Sequence, residues 1–157
     1  DALPIYRQYS DRFASAGQPT EAELELASRA GFERVIYIAF STDRNALAGE
    51  DSLVRSLGMD YVHIPVVWDK PAVADYQNFA AVMNSEPDKK TLLHCQVNMR
   101  ASAFAFLYRV IDLGVPMAEA RADMNEIWQL NDTWRQLVFD VLELNGIMPG
   151  DCEECGW

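Results

Sequence analysis

The chain has 157 residues, half of them hydrophobic and 24% charged, enough apolar material for one domain with a core of its own. Its net charge of −11 and lack of a basic run argue against nucleic acid and anionic membranes as partners, and no apolar run approaches the ~20 residues of a membrane helix. Three cysteines are too few for a disulfide scaffold.

The chain opens on Asp1 rather than methionine, which fits a processed or a trimmed protein. Any export signal would lie before it. The expected compartment is periplasmic if such a signal was removed and cytoplasmic otherwise.

The segment "IYRQYSDRFASAG" predicts two short strands around a turn at Ser10 and Asp11. "PTEAELELASRAGF" predicts a helix, with Thr20 and Glu23 spaced as a capping box and Gly31 as its stop. "RVIYIAF" (34–40) is a short apolar run rich in Val and Ile, the pattern of a strand buried on both faces. A polar loop, "STDRNALAGE", and a short helix ending at Gly58 follow. "DYVHIPVVW" predicts another strand, "DKP" a loop, and "PAVADYQNFAAVMN" a helix with Pro71 in its first turn. "TLLHC" predicts a further strand, and helices are expected over 101–113, 117–130 and 133–144. Strands alternating with helices imply a single α/β domain (1–150) with a mostly parallel central sheet flanked by helices. The segment 151–157, with its Cys152-x-x-Cys155, is expected to be an unstructured tail. A local disulfide is the alternative if the protein is exported, and a pair of cysteines is too few for zinc.

In such sheets ligands bind at the carboxyl ends of the strands, and "HCQVNMRAS" sits at one. Cys95 ends the strand, and Arg100 begins the next helix. If the segment between them curls, the backbone N–H groups of Gln96, Val97, Asn98, Met99, Arg100 and Ala101 join the helix N-terminus in a concave anion site. Such positive potential favours the thiolate of a cysteine placed in it, and a guanidinium grips two oxygens at once. Asn98 tolerates the left-handed conformation that a tight loop needs. The side chains of Val97 and Met99 are expected to turn away from the anion into packing.

"HCQVNMRAS" resembles the active-site loop of the cysteine-dependent protein tyrosine and dual-specificity phosphatases, which carry a His–Cys pair, a loop, an Arg and a hydroxyl residue. Their usual loop has one residue more between Cys and Arg. The shorter form is typical of a bacterial branch, the beta-lactamase-hydrolase-like phosphatase-like domains. "SAGQPTEAELELASRAGFERVIYI" is also similar to the opening of that branch. The resemblance implies a protein tyrosine phosphatase-like fold and hydrolysis of a phosphate monoester through a phosphocysteine on Cys95, with Arg100 holding the phosphoryl oxygens. It also implies an upstream aspartate as general acid. Asp69, in "VVWDKP", fits that place; Asp75 competes but sits where a helix N-terminus favours acids anyway. His94 supports the loop or is a core histidine. The hydroxyl residue directly after Arg is replaced by Ala101; Ser102, one later, either takes its place or is an ordinary early-helix serine. Gln18 falls in a turn that the family sets near the pocket. Trp68 either walls the pocket or anchors its loop.

Two other functions are compatible with the pattern. A rhodanese-like sulfurtransferase, whose active loop also has four residues between Cys and Arg, would carry a persulfide on Cys95 and need no general acid. A non-catalytic module would simply hold a phosphorylated ligand. The expected partner is an anionic phosphorylated substrate, either a small molecule or a phosphoprotein. No cofactor and no metal are expected.

Overall fold

The computed structural model describes residues 5–157. Its elements, in chain order, are β1 (Arg7–Ser10), β2 (Phe13–Ala16), α1 (Glu21–Arg29), β3 (Arg34–Tyr37), α2 (Glu50–Ser56), β4 (Asp60–His63), α3 (Val73–Ser85), β5 (Thr91–His94), α4 (Met99–Ile111), α5 (Met117–Asn125) and α6 (Asp132–Leu144). The strands form one sheet in the order β1-β2-β5-β3-β4. Only the β1–β2 pair is antiparallel; β2, β5, β3 and β4 run parallel.

The central strand is β5, paired with β2 on one side and β3 on the other. All four of its residues are buried, which is why it reads as a continuous apolar run. Its side chains alternate between two cores. Leu92 joins Leu24, Ala27, Val35 and Val54 beneath α1 and α2. Leu93 joins Ile36, Phe79, Phe104, Trp134 and Leu137 beneath α3, α4 and α6. α4 is buried along most of its length, so the helix is held firmly against the sheet.

 α4 thereby fixes, through its buried face, the position of the loop that precedes it.

The capping box predicted for α1 is present: Glu23 N–H donates to Thr20 Oγ1 (3.2 Å) and Thr20 N–H to Glu23 Oε1 (2.9 Å). Two expectations are corrected. The helix expected over 117–130 stops at Asn125, because the chain tightens through Glu126 N–H to Asp123 O and Ile127 N–H to Met124 O and then turns Trp128 back onto α4, where its Nε1–H donates to Ser102 Oγ. The last residues are not an unstructured tail. They form two 3₁₀ turns (Pro149–Asp151 and Glu153–Cys155) and a Cys152–Cys155 disulfide. The Trp157 ring packs edge-on against Phe106 and Phe139, so apolar burial orders a segment whose polar sequence gives little sign of it.

Candidate active site

The register of the sheet sets the site. His94 pairs with Ala16 of β2 and with Tyr37 of β3, so the three strand ends converge where Cys95 leaves β5. Cys95 is a free cysteine, 1% exposed, and its N–H donates to Ala16 O (3.3 Å).

From there the chain curls. Asn98 adopts the left-handed conformation (φ +67°) and caps α4, the geometry expected of it in a short loop without glycine. Its side-chain amide donates to Ile5 O (2.6 Å), which ties the loop to the segment before β1. The N–H groups of Gln96, Val97, Met99, Arg100 and Ala101 donate to no acceptor among the described residues. They are the unspent donors of a loop and a helix N-terminus.

Arg100, 8% exposed, lies in the first turn of α4. Its Nη1 donates to Val66 O (2.9 Å), and its Nη2 lies 3.4 Å from Asp43 Oδ2. The guanidinium carbon is 5.9 Å from the centre of the Trp68 ring. One side chain therefore joins three segments: the Cys95–Arg100 loop, the loop after β3, and the 64–72 loop that carries Trp68 and Asp69.

Beneath the loop is a polar group that the residue types alone do not announce. The His94 ring is completely buried. Its Nε2 lies 2.6 Å from Glu50 Oε2, and its Nδ1 lies 3.2 Å from Cys95 O. Both ring nitrogens face oxygen atoms. The other Glu50 oxygen accepts from Gln18 Nε2 (2.6 Å), and Gln18 N–H donates to Gln96 O (3.0 Å). His94 is thus a support wired to Glu50, and Gln18 is part of the same frame. Gln96 contributes its side chain as well as its amide: Nε2 donates to Tyr37 Oη (2.9 Å), and Oε1 accepts from Asn45 N–H (3.2 Å). Burial, with the Asp43 carboxylate second, pushes the Tyr37 hydroxyl up to about 12. It therefore stays a proton donor, to Phe40 O at 2.7 Å.

The remaining expected residues are placed as follows. Asp69 is exposed on the loop after β4. The Asp75 carboxylate accepts from Ala72 N–H (3.0 Å) and caps α3, the ordinary role of an acid in a first helical turn. The Ser102 hydroxyl donates back to Met99 O (3.0 Å) within its own helix, so its one proton is engaged there. Met99 is half-buried, as expected for packing, but Val97 is 43% exposed. Its backbone pairs with Gly17 in an isolated bridge, and glycine brings no side chain to cover it. Trp68 both anchors and borders: its ring lies against Trp128 and Trp134, yet the residue is 40% exposed.

Sequence reasoning missed Glu50 and Asp43. Glu50 opens α2, where an acid is explained by the helix dipole alone. Asp43 lies in a polar loop, and only the position of that loop, after the carboxyl end of a parallel strand, could have pointed to it.

Comparison with known proteins gives the arrangement its place. The model of a family described as "DSP-PTPase phosphatase fused to NAD+ Kinase" matches residues 5–138. A DUF442 protein from Shewanella putrefaciens CN-32 is 34% identical, with a TM-score of 0.83 over 90% of this chain and 91% of that one. Tk-PTP in its active form is 17% identical, with a TM-score of 0.76 over 90% of this chain and 99% of that one. The core catalytic domain of the PP-IP phosphatase SIW14 from S. cerevisiae is 8% identical, with a TM-score of 0.71 over 94% and 97%. These last two likenesses concern the fold alone. Among curated proteins none matches. The fold is protein tyrosine phosphatase-like, and the chain belongs to the DSP-PTPase family of cysteine-dependent phosphatases.

Proposed function

We propose that the chain hydrolyses phosphate monoesters through a phosphocysteine on Cys95. The observation that carries this reading is the loop itself. A free cysteine lies at its base, Arg100 at its end, and five N–H groups between and beyond them remain unspent.

In the first step the Cys95 thiolate attacks phosphorus. The P–S bond forms as the P–O bond to the leaving group breaks, and Asp69 gives its proton to the departing oxygen. In the second step the Asp69 carboxylate takes a proton from water, whose oxygen attacks phosphorus. The P–S bond breaks, and inorganic phosphate and the thiolate are released. The loop amides and Arg100 hold the equatorial oxygens in both steps, where charge is spread in the transition state. Val66 supports Asp69 in its role: its carbonyl accepts from Arg100, which ties the acid's loop to the anion site. The substrate class is an anionic phosphorylated small molecule or phosphoprotein. The Cys152–Cys155 disulfide supports an oxidising compartment for the chain.

The test is a side-by-side assay of an aryl phosphate against thiosulfate plus cyanide, with the wild-type protein and Cys95→Ser. Aryl phosphate turnover that is lost in Cys95→Ser is expected. Fast, Cys95-dependent thiocyanate formation without phosphate release would replace this reading with the sulfurtransferase one.

A further inference from the structure

The last turns of the chain hydrogen-bond to themselves and not to the helices they lie on. Among the described residues, every hydrogen bond of 149–157 stays within 148–157. Asp151 N–H donates to Met148 O (3.0 Å), Cys152 N–H to Pro149 O (3.2 Å), Cys155 N–H to Cys152 O (3.3 Å) and Trp157 Nε1–H to Pro149 O (2.9 Å). The Cys152–Cys155 disulfide closes the same segment on itself. Its aromatic anchor to the helices is one side chain. The Trp157 ring stands edge-on to Phe106 of α4 at 5.9 Å and to Phe139 of α6 at 5.2 Å, and the guanidinium carbon of Arg121, in α5, lies 4.6 Å from the ring centre.

The surface that Trp157 covers is costly to bury. Arg121 is 5% exposed. Among the described residues its Nη1 donates to Asn125 Oδ1, its Nε meets no acceptor, and no carboxylate pairs with it. Burial, with the Arg135 charge second, pulls its pKa down. A buried charge without a counter-ion is destabilising, and the indole face above it offsets part of that. The closed position of Trp157 is thus a balance of opposed terms, and the order of the segment that carries it can tip the balance. The disulfide controls that order. It joins residues three apart and lies just beneath the exposed Glu153, Glu154 and Gly156, where local fraying brings it to a small thiol.

We propose that Cys152 and Cys155 form a redox clasp: a dithiol reduces the disulfide, the last turns loosen, and Trp157 lifts from Arg121, Phe106 and Phe139. One thiolate of the reductant attacks a protein sulfur, and the S–S bond breaks as a mixed disulfide forms. The reductant's second sulfur then displaces the protein sulfur. Two electrons and two protons pass to the protein, which gains two thiols, and the reductant leaves as its disulfide. In an oxidising compartment the clasp rests closed. Opening uncovers a guanidinium between two aromatic rings on the α4–α5–α6 face, while the sheet and its core keep their packing. The device is independent of the phosphate chemistry at Cys95.

The experiment is amide hydrogen exchange of the full chain with and without dithiothreitol, the thiol state being read by mass after alkylation. Amides of 150–157 should exchange roughly ten- to thirtyfold faster in the reduced chain, the constraint that so short a loop supplies, while those of β5 stay as they were. Labelling of Arg121 by phenylglyoxal, read by peptide mapping, should rise in step. The Cys152→Ser, Cys155→Ser double variant should show the fast exchange and the high labelling whether or not dithiothreitol is present. Three results overturn the proposal. The first is a disulfide that dithiothreitol reduces only after the chain is unfolded in urea. The second is complete reduction with exchange of 150–157 and labelling of Arg121 unchanged. The third is faster exchange that extends to β5, which would make the bond a staple of the whole fold. The wild-type comparison decides between these even if the double variant does not fold.

Discussion

Replacing Glu50 by alanine removes the acceptor at the centre of the buried frame beneath the loop. Glu50 is 5% exposed and its partner His94 is fully buried. The carboxylate accepts two hydrogen bonds, from His94 Nε2 and Gln18 Nε2, each 2.6 Å long. Hydrogen bonds to a charged group contribute about 1.5–3 kcal/mol each. Breaking a buried pair from one side costs about 3–5 kcal/mol, because the other partner is left uncompensated. For a chain of this length, 1 kcal/mol corresponds to roughly 2–4 °C, so the melting temperature should fall by roughly 6–20 °C. Urea denaturation of the wild-type protein, Glu50→Ala, His94→Ala and the double variant measures both the loss and the coupling. A coupling of roughly 0.5–3 kcal/mol is expected for residues in direct contact. Glu50→Gln should be milder, since the amide can still meet one of the two donors. The frame would have no hold on the loop if Glu50→Ala lost under about 1 kcal/mol and bound inorganic phosphate as the wild type does.

Arg100→Lys keeps the charge but loses the fork that reaches both Val66 O and Asp43; a drop of roughly 10²–10³ in kcat is expected, as for loss of an oxyanion donor, and full activity would show that Arg100 is not the clamp. Asp69→Asn should cost roughly 10²–10⁴-fold on an alkyl phosphate and flatten the basic limb of the pH–rate profile, whereas Asp75→Asn should cost only about 0.3–1 kcal/mol of stability through α3. If the two variants exchange these effects, the acid is Asp75. Tyr9 and Tyr37 are both pushed up to about 12 by burial. Below pH ~10 both states keep these protons; between there and pH 12 the unfolded chain ionises first, so stability should fall as pH rises through that window. Phenolate absorbance that follows a single normal titration, with no loss of stability, would contradict this.

The loop was legible because its chemistry is local. Cys95, Arg100 and Asn98 are close together in the chain, and the strand before them and the helix after them are each betrayed by burial on nearly every position. The elements of the sheet were legible for the same reason, although the order of its strands depends on pairings between distant segments. What could not be read comes from that long-range part. Glu50 meets His94 across 44 positions, Asp43 meets Arg100 across 57, and Trp157 packs the last turns against the distant Phe106 and Phe139. Val97 is expected to turn away from the anion into packing, and its side chain is instead 43% exposed. Ser102 shows the opposite limit: its residue type suggested a partner for the thiolate, and its hydroxyl donates instead to its own helix.

The most direct measurement is a single turnover of an aryl phosphate labelled at phosphorus, quenched in acid within milliseconds and followed by peptide mapping. The account predicts label on the peptide that contains Cys95 in the wild-type protein, more of it in Asp69→Asn at steps where water activation limits breakdown, and none in Cys95→Ser. Full phosphate release with no label on Cys95 at any quench time, or turnover that persists in Cys95→Ser, would contradict it.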